Sequence, residues 1–282
     1  MKLVLLGTGT PIPDPDASGP ASAVVVNGQA YLFDAGPGVV RRAEAAAEKL
    51  GIPALSPRSL TILFLTHLHS DHTLGYPDLI FTPWVIGRSQ PLLVYGPKGT
   101  LAMTDHLKQA YSADIAVRTE GFEGLASGGP RVDVHEMTPE GVYPREVYRD
   151  ANVRVTAIPV RHGSWAQSFG YLVEGKESKI VISGDTAPCP ALAEACDGCD
   201  ILLHEVYSAA RFANLPPSAK RYHSSFHTST KELAELAARA KPKLLVLYHQ
   251  LYFGPKEGVD LAGEIRNIYP GKVENGQDLT AY

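Results

Sequence analysis

The residues that most constrain this chain stand at the end of one short apolar run. Leu60-Thr61-Ile62-Leu63-Phe64-Leu65 reads as a buried strand, being short, apolar, partly β-branched and bounded by polar residues. It runs directly into Thr66-His67-Leu68-His69-Ser70-Asp71-His72. The strand therefore stops where the side chains become nitrogen and oxygen donors. Neutral imidazole and carboxylate are ligands that suit zinc and related divalent ions. His67 and His69, two apart on extended chain, can face the same point. Asp71 and His72 follow after the chain turns, so they can serve a second ion nearby. One histidine at a strand end is ordinarily a satisfied polar residue. Four donors at this spacing are not, because a solvated loop would carry Lys, Asn or Gly instead.

The bulk numbers leave a soluble globular protein. The chain has 282 residues, 44% hydrophobic and 20% charged, with a net charge of −4. No basic excess marks a nucleic-acid surface. No apolar run approaches the ~18 residues needed to span a membrane. The run from Met1 to Gly7 is too short for a signal-peptide core and reads as a first strand ending in the turn Gly7-Thr8-Gly9-Thr10-Pro11. That turn lacks the third glycine of a dinucleotide fingerprint and is expected beneath the metal site. A cytoplasmic location is the expectation. Cys189, Cys196 and Cys199 are an odd, clustered set and make no disulfide framework. Cys196 and Cys199 have the spacing of half a zinc site or a redox pair. No second pair exists, so they are read as small residues around a helix end.

Strand-like runs recur at 23–26, 31–33, 92–95, 153–158, 169–173, 179–183, 201–203 and 244–248. Helices are expected over Val39–Leu50, stopped by Gly51, over Thr100–Tyr111, and over Thr230–Lys241, stopped by Pro242. This alternation predicts layered sheets with helices outside. Thr119–Arg131 is glycine-rich and is expected to be a surface loop. With no repeat, low-complexity tract or clear linker, one domain over residues 1–282 is expected.

More donors follow later strands: His162, Asp185, the pair His204-Glu205, and His249. The His67–His72 run, His162, Ser183-Gly184-Asp185-Thr186 and His249 resemble the metallo-β-lactamase superfamily in order and strand context, over essentially the whole chain. The resemblance implies an α/β fold, an αββα sandwich of two mixed sheets flanked by helices. It implies two divalent ions, with zinc expected and manganese or iron as alternatives. His67, His69 and His162 would hold one ion. Asp71, His72 and His249 would hold the other, and Asp185 would bridge them.

Within the superfamily the chain is similar to the ribonuclease Z and arylsulfatase-like branch. Leu6-Gly7-Thr8-Gly9-Thr10-Pro11, Asp34-Ala35-Gly36-Pro37-Gly38, His204-Glu205-Val206 and His227-Thr228-Ser229 carry the finer match. The resemblance implies Glu205 and His227 as a proton-delivery couple. Only residues 163–184 separate His162 from Asp185, which leaves no room for the tRNA-gripping arm of ribonuclease Z. The arginine-containing segment of that family is also altered, reading Ser18-Gly19-Pro20-Ala21-Ser22.

The leading expectation is accordingly a dinuclear zinc hydrolase of phosphodiester or sulfate-ester bonds in a small-molecule ester. The rivals are a tRNA 3′-processing endoribonuclease and a non-catalytic metal-binding scaffold. Two ions sharing a water lower its pKa and neutralise charge on the reacting oxygens. Asp71 is the candidate to orient that water, and His227, oriented by Glu205, the candidate general acid. The bland alternative makes Glu205 and His227 supports for the ligands. No Gly-x-Ser-x-Gly elbow suggests a protein nucleophile. His204 and His223 are expected near the site, His106 and His135 away from it. Trp84, Trp165 and Tyr207 are candidate pocket walls, with packing the equal reading. The relatives imply a homodimer.

Overall fold

The computed structural model describes residues 1–126, 128–137 and 143–282. The apolar runs pair as β1 (Lys2–Gly7), β2 (Ala21–Val26), β3 (Gln29–Phe33), β4 (Ile62–Phe64), β5 (Leu92–Pro97), β6 (Val132–Met137) and β7 (Arg145–Arg149). They continue as β8 (Arg154–Pro159), β9 (Phe169–Glu174), β10 (Lys179–Ile182), β11 (Ile201–Tyr207), β12 (Leu244–Leu251), β13 (Val273–Asn275) and β14 (Thr280–Ala281). One sheet has the order β14-β1-β2-β3-β4-β5-β6, the other β13-β12-β11-β10-β9-β8-β7. Each is mixed. β3, β4, β5 and β6 run parallel in the first, and β10 to β13 run parallel in the second.

Side-chain alternation explains the layers. Leu3, Leu5, Tyr31, Phe33, Ile62 and Phe64 point from the first sheet into one apolar cluster with Val155, Tyr171, Val173, Ile182 and Tyr248 of the second. Their neighbours Val4, Leu6, Leu32 and Leu63 point the other way, onto the helix Val39–Leu50 and the helix Tyr76–Val85. Val181, Leu202, Leu245 and Leu247 likewise face the helix Pro190–Cys196, the helix Thr230–Ala240 and the helix Leu261–Arg266. Strands buried on both faces read as continuous apolar runs, which is why they are visible in the sequence. The result is the expected αββα sandwich.

The local signals act as written. The helix Val39–Leu50 closes on Gly51 in the left-handed region, φ 62°, whose N–H bonds the Ala47 carbonyl. The helix Thr230–Ala240 opens with a capping box between Ser229 and Glu232. The expected loop from Thr119 begins only at Gly121, because the helix Ser112–Glu120 takes its first two residues. Ser127 of that loop, and residues 138–142, lie outside the described residues. Cys196 and Cys199 form a disulfide, against the expectation of two unlinked small residues. Asp197 and Gly198 between them both take positive φ, and that tight reversal brings the cysteine Cα atoms to 4.7 Å. No described helix is long and apolar enough to cross a membrane.

Candidate metal centre

The parallel strands of both sheets send their C-terminal ends to one rim, where ligand sites form in open α/β sheets. The loop after β4 is pinned there from both sides. The Tyr171 hydroxyl donates to the Leu65 carbonyl at 2.7 Å, and the Phe169 amide to the Thr66 carbonyl at 2.9 Å. Below it the backbone packs too tightly for side chains. A Cβ on Gly36 would stand 2.6 Å from the Asp71 carbonyl oxygen and 2.4 Å from Gly19. The Gly7–Thr10 turn lies beneath this layer, with Gly7 against Gly19.

Three imidazole nitrogens converge above the loop. His67 Nε2 lies 2.9 Å and His162 Nε2 3.0 Å from His69 Nδ1. The opposite ring nitrogens are engaged elsewhere. His162 Nδ1–H donates to the Phe226 carbonyl at 2.8 Å, so its Nε2 carries a lone pair. Thr66 Oγ1 donates to the acceptor-only carboxylate of Asp34 at 2.9 Å, and therefore accepts from His67 Nδ1–H at 2.9 Å. His67 Nε2 and His162 Nε2 thus aim lone pairs at one atom, His69 Nδ1, which carries the ring proton because His69 Nε2 accepts from the Trp165 indole; a cation in that proton's place would be met by all three nitrogens. Burial pushes His67 well below its usual proton affinity and His162 down to about 4, which leaves neutral rings.

The second group sits beside the first. Asp71 Oδ2 lies 3.2 Å from His249 Nε2 and 3.5 Å from His72 Nε2. Asp185 Oδ2 stands between the groups, 3.4 Å from His72 Nε2, 3.3 Å from His249 Nε2 and 3.9 Å from His162 Nε2. His249 reaches this point by a bulge. Glu205 pairs with Tyr248 and Val206 with Gln250, so His249 is the extra residue, at φ 43°. Burial opposes charge on His72, but Asp185 and Asp34 outweigh it and raise its proton affinity. A proton and a divalent ion thus compete for the same Nε2.

The donor set passes a test of fit. Among the described residues, His72 Nε2, His249 Nδ1 and Asp185 Oδ1 are buried without a hydrogen-bond partner. Such groups cost free energy unless something satisfies them. His67, His69 and His162, and separately Asp71, His72 and His249, each bring ligand atoms within 4.8 Å of one another. Every ligand expected from the sequence is in one of these groups or, as Asp185, between them.

Glu205 and His227 adjoin the centre. His227 Nδ1 lies 3.2 Å from Glu205 Oε2, and the Thr228 amide donates to Glu205 Oε1 at 2.7 Å. The His227 ring stacks on His249 at 5.4 Å and its Nδ1 is 3.9 Å from Asp185. Burial pushes Glu205 well above the usual carboxyl range, with Asp185 adding to it, and pushes His227 down to about 4.

Asp34 has a role that its sequence motif did not disclose. Its Oδ1 accepts from the Thr66 amide at 2.8 Å, and its Oδ2 also accepts from His72 Nδ1 at 2.8 Å. One buried carboxylate thus sets the tautomers of both His67 and His72. Its φ of 62°, unusual for a non-glycine, marks backbone held in place by its surroundings. A signal for it existed only in the Asp-Ala-Gly-Pro-Gly turn. Of the other residues considered, Trp165 borders the site, its indole N–H donating to His69 Nε2 at 2.7 Å. Trp84 does not, being buried in the outer core beneath the first sheet. Tyr207 packs on Phe212 and Phe253. His223 lies 6.0 Å from His227 ring to ring, whereas His204 is fully buried with its Nδ1 on the Glu205 carbonyl.

Comparison with known proteins agrees with this geometry. A family model described as the beta-lactamase superfamily domain matches residues 29–250. The ribonuclease Z of Mycobacterium marinum is 36% identical over 286 residues, covering 99% of this chain and 97% of that protein. Human tRNase Z, short form, shares the fold with a TM-score of 0.71 at 24% identity, over 100% of this chain and 98% of its own. The metallo-beta-lactamase fold protein YhfI of Bacillus subtilis does so with a TM-score of 0.71 at 16% identity, again over 100% and 98%. The chain is a metal-dependent hydrolase fold with a full-length ribonuclease Z relative, and it belongs to the metallo-β-lactamase superfamily on its ribonuclease Z branch.

Proposed function

We propose that this chain is a two-metal phosphodiesterase of the ribonuclease Z type, cleaving RNA at the 3′ side of precursor tRNA. The observation that carries this reading is the end-to-end likeness to a ribonuclease Z, joined to a Glu205–His227 pair set against the ligand groups. It reverses the order drawn from the sequence, where a small phosphodiester or sulfate ester led and tRNA processing was the rival. His67, His69 and His162 would hold one divalent ion, Asp71, His72 and His249 the other, and Asp185 both; zinc suits the imidazole-rich set. When bound, the ions supply an activated water and neutralise charge on the phosphoryl oxygens.

The protein groups have separate tasks. Asp34 fixes which nitrogen His67 and His72 present. Asp71, partly engaged by His249, orients the incoming water. Attack on phosphorus breaks the bond to the leaving ribose oxygen, which needs a proton. His227 gives it from Nε2, because Nδ1 faces Glu205. Glu205, protonated in this reading, would pass its proton to Nδ1 as Nε2 releases one. Because the neutral ring has no spare proton, the transfer to Nδ1 and the release from Nε2 occur together, leaving the ribose hydroxyl protonated and Glu205 ionised.

A second reading keeps a small diester or sulfate ester as substrate. It is favoured by residues 163–184, which form a loop and the antiparallel pair β9 and β10 with no projecting arm. The discriminating experiment offers metal-replete protein a precursor-tRNA transcript, bis(p-nitrophenyl) phosphate and an aryl sulfate. A single cut at the 3′ end supports the first reading. Rapid turnover of either small ester with intact RNA would replace it by the second. We further propose that residues 1–282 act as one hydrolase domain, cytoplasmic and homodimeric; light scattering tests the last point.

A further inference from the structure

We propose that the cleft beside His162 binds a second phosphate of the substrate, next along the chain from the scissile one. The proposal deepens the phosphodiesterase reading above and rests on it for the position of the first phosphate. The cleft has a volume of ≈ 630 Å³ and is lined by Arg161, Gly163, Ser164, Arg221, Tyr222 and Phe226, among others. Arg161 and Arg221 are both exposed, and neither has a carboxylate within 4 Å among the described residues. Arg41, Arg42, Arg118, Arg149, Arg154 and Arg266 each meet an acid, whereas Arg58, Arg131, Arg145 and Arg239 are exposed and meet none among the described residues; what sets Arg161 and Arg221 apart is that both line one cleft. Two uncompensated guanidiniums on one cleft are a ready receptor for a phosphate, which their planar forks match in a bidentate way.

The cleft is built from the same backbone as the centre. Arg161 and Gly163 flank His162, and Phe226 precedes His227. The Gly163 amide donates to the Ser225 carbonyl at 2.9 Å, and the Ala187 amide to the Arg161 carbonyl at 2.7 Å, two residues beyond Asp185. The Phe226 ring stands 4.9 Å from the His162 ring, as the wall between the cleft and the ligands. A Cβ on Gly163 would fall 2.0 Å from that ring, so the wall requires glycine there. Neighbouring residues are only ~3.8 Å apart along the chain. The cleft and the centre are thus neighbours across the Phe226 ring, which makes the adjoining phosphate of the same strand the one proposed for the cleft. Tyr222 stacks on Phe226 at 4.5 Å and gives the cleft an aromatic side suited to a base of any identity.

The probe is adenosine 3′,5′-bisphosphate against adenosine 5′-monophosphate, bound to zinc-loaded protein and measured by calorimetry. The wild type should prefer the bisphosphate by about tenfold or more, as charged hydrogen bonds allow. Arg161→Gln with Arg221→Gln should bring the two affinities to within about twofold, with the melting temperature unmoved because both side chains are exposed and unpaired. Equal wild-type affinities, or a preference that survives in the double variant, would overturn the subsite. The endonuclease reading fails separately. RNA cleavage with equal affinities sinks the subsite alone, whereas a lost preference in the variant, without RNA cleavage by the wild type, keeps the subsite and sinks the endonuclease.

Discussion

Asp34→Asn tests how the centre is held without touching a ligand. Asp34 accepts three hydrogen bonds, from the Thr66 amide, the Thr66 hydroxyl and His72 Nδ1–H. Asparagine offers one acceptor oxygen and an NH₂ group. If the oxygen keeps the Thr66 amide, the NH₂ faces the hydroxyl and the imidazole. His72 must then accept at Nδ1 and carry its proton on Nε2, the atom 3.4 Å from Asp185. The Thr66 hydroxyl turns to accept from asparagine and donates to His67 Nδ1, so His67 too moves its proton to Nε2. If the amide flips instead, the Thr66 N–H is orphaned in a site only 2% exposed, costing ~1–3 kcal/mol of stability. Partners of this kind are worth ~10–100-fold in metal affinity, or about 1.4–2.8 kcal/mol at ~1.4 kcal/mol per decade. Competition with a chromogenic chelator at neutral pH should show that loss. An unchanged affinity, within about twofold, would refute the tautomer argument.

Other consequences are independent of that one. Asp150 accepts from the Tyr31 and Tyr148 hydroxyls and from the amides of Asn152 and Val153. Burial alone would raise its carboxyl, but these bonds outweigh it and hold the pKa below the ordinary 3.8. Such a group adds stability above pH 3.8 and loses it as pH falls through the native value, so Asp150→Asn should flatten the acid limb of the stability curve; an identical limb in urea titrations would contradict this. Replacing Cys196 and Cys199 together by alanine opens a loop of about four residues, worth about 2 kcal/mol in chain entropy, and the denaturation midpoint should fall accordingly, as it should for wild type under reductant. Trp165 donates to His69 Nε2. An ion taken by His69 Nδ1 would place the ring proton on Nε2 and break that bond, so zinc addition should shift tryptophan emission in wild type and not in Trp165→Phe.

Much of the centre was legible because its donors follow apolar strands. His67, His69, Asp71 and His72 are contiguous, and His162, Asp185 and His249 each close a recognisable run. The inner strands of both sheets bury both faces and so announce themselves by composition, whereas the edge strands β6 and β7 leave side chains exposed and give no apolar run. What stayed hidden depends on distance in sequence. Asp34 reaches Thr66 and His72 across 32 and 38 residues, and nothing local marks a turn aspartate for that task. β13 and β14, three and two residues long, are too short to show any period. The helix Pro217–Phe226 buries none of its residues fully, so it lacks the apolar stripe by which helices are read. The cysteine pair shows the limit of counting: an odd total argued against a disulfide, while a local turn at Asp197-Gly198 permits one.

The order of the two substrate readings changed for a different reason. The missing arm argued from residues 163–184 alone, whereas the likeness to ribonuclease Z spans 99% of the chain. A deletion in one place limits how a substrate is gripped and leaves the bond that is cut to the ligands and the Glu205–His227 pair.

The most direct test of the account is the metal content per chain, by plasma mass spectrometry, of wild type beside Asp185→Ala. Asp185 Oδ2 faces His72, His249 and His162 together. Two divalent ions per wild-type chain, with both sites weakened by that single change, is the predicted result. A single ion per active wild-type chain, or full metal content in Asp185→Ala, would contradict a bridged two-metal centre.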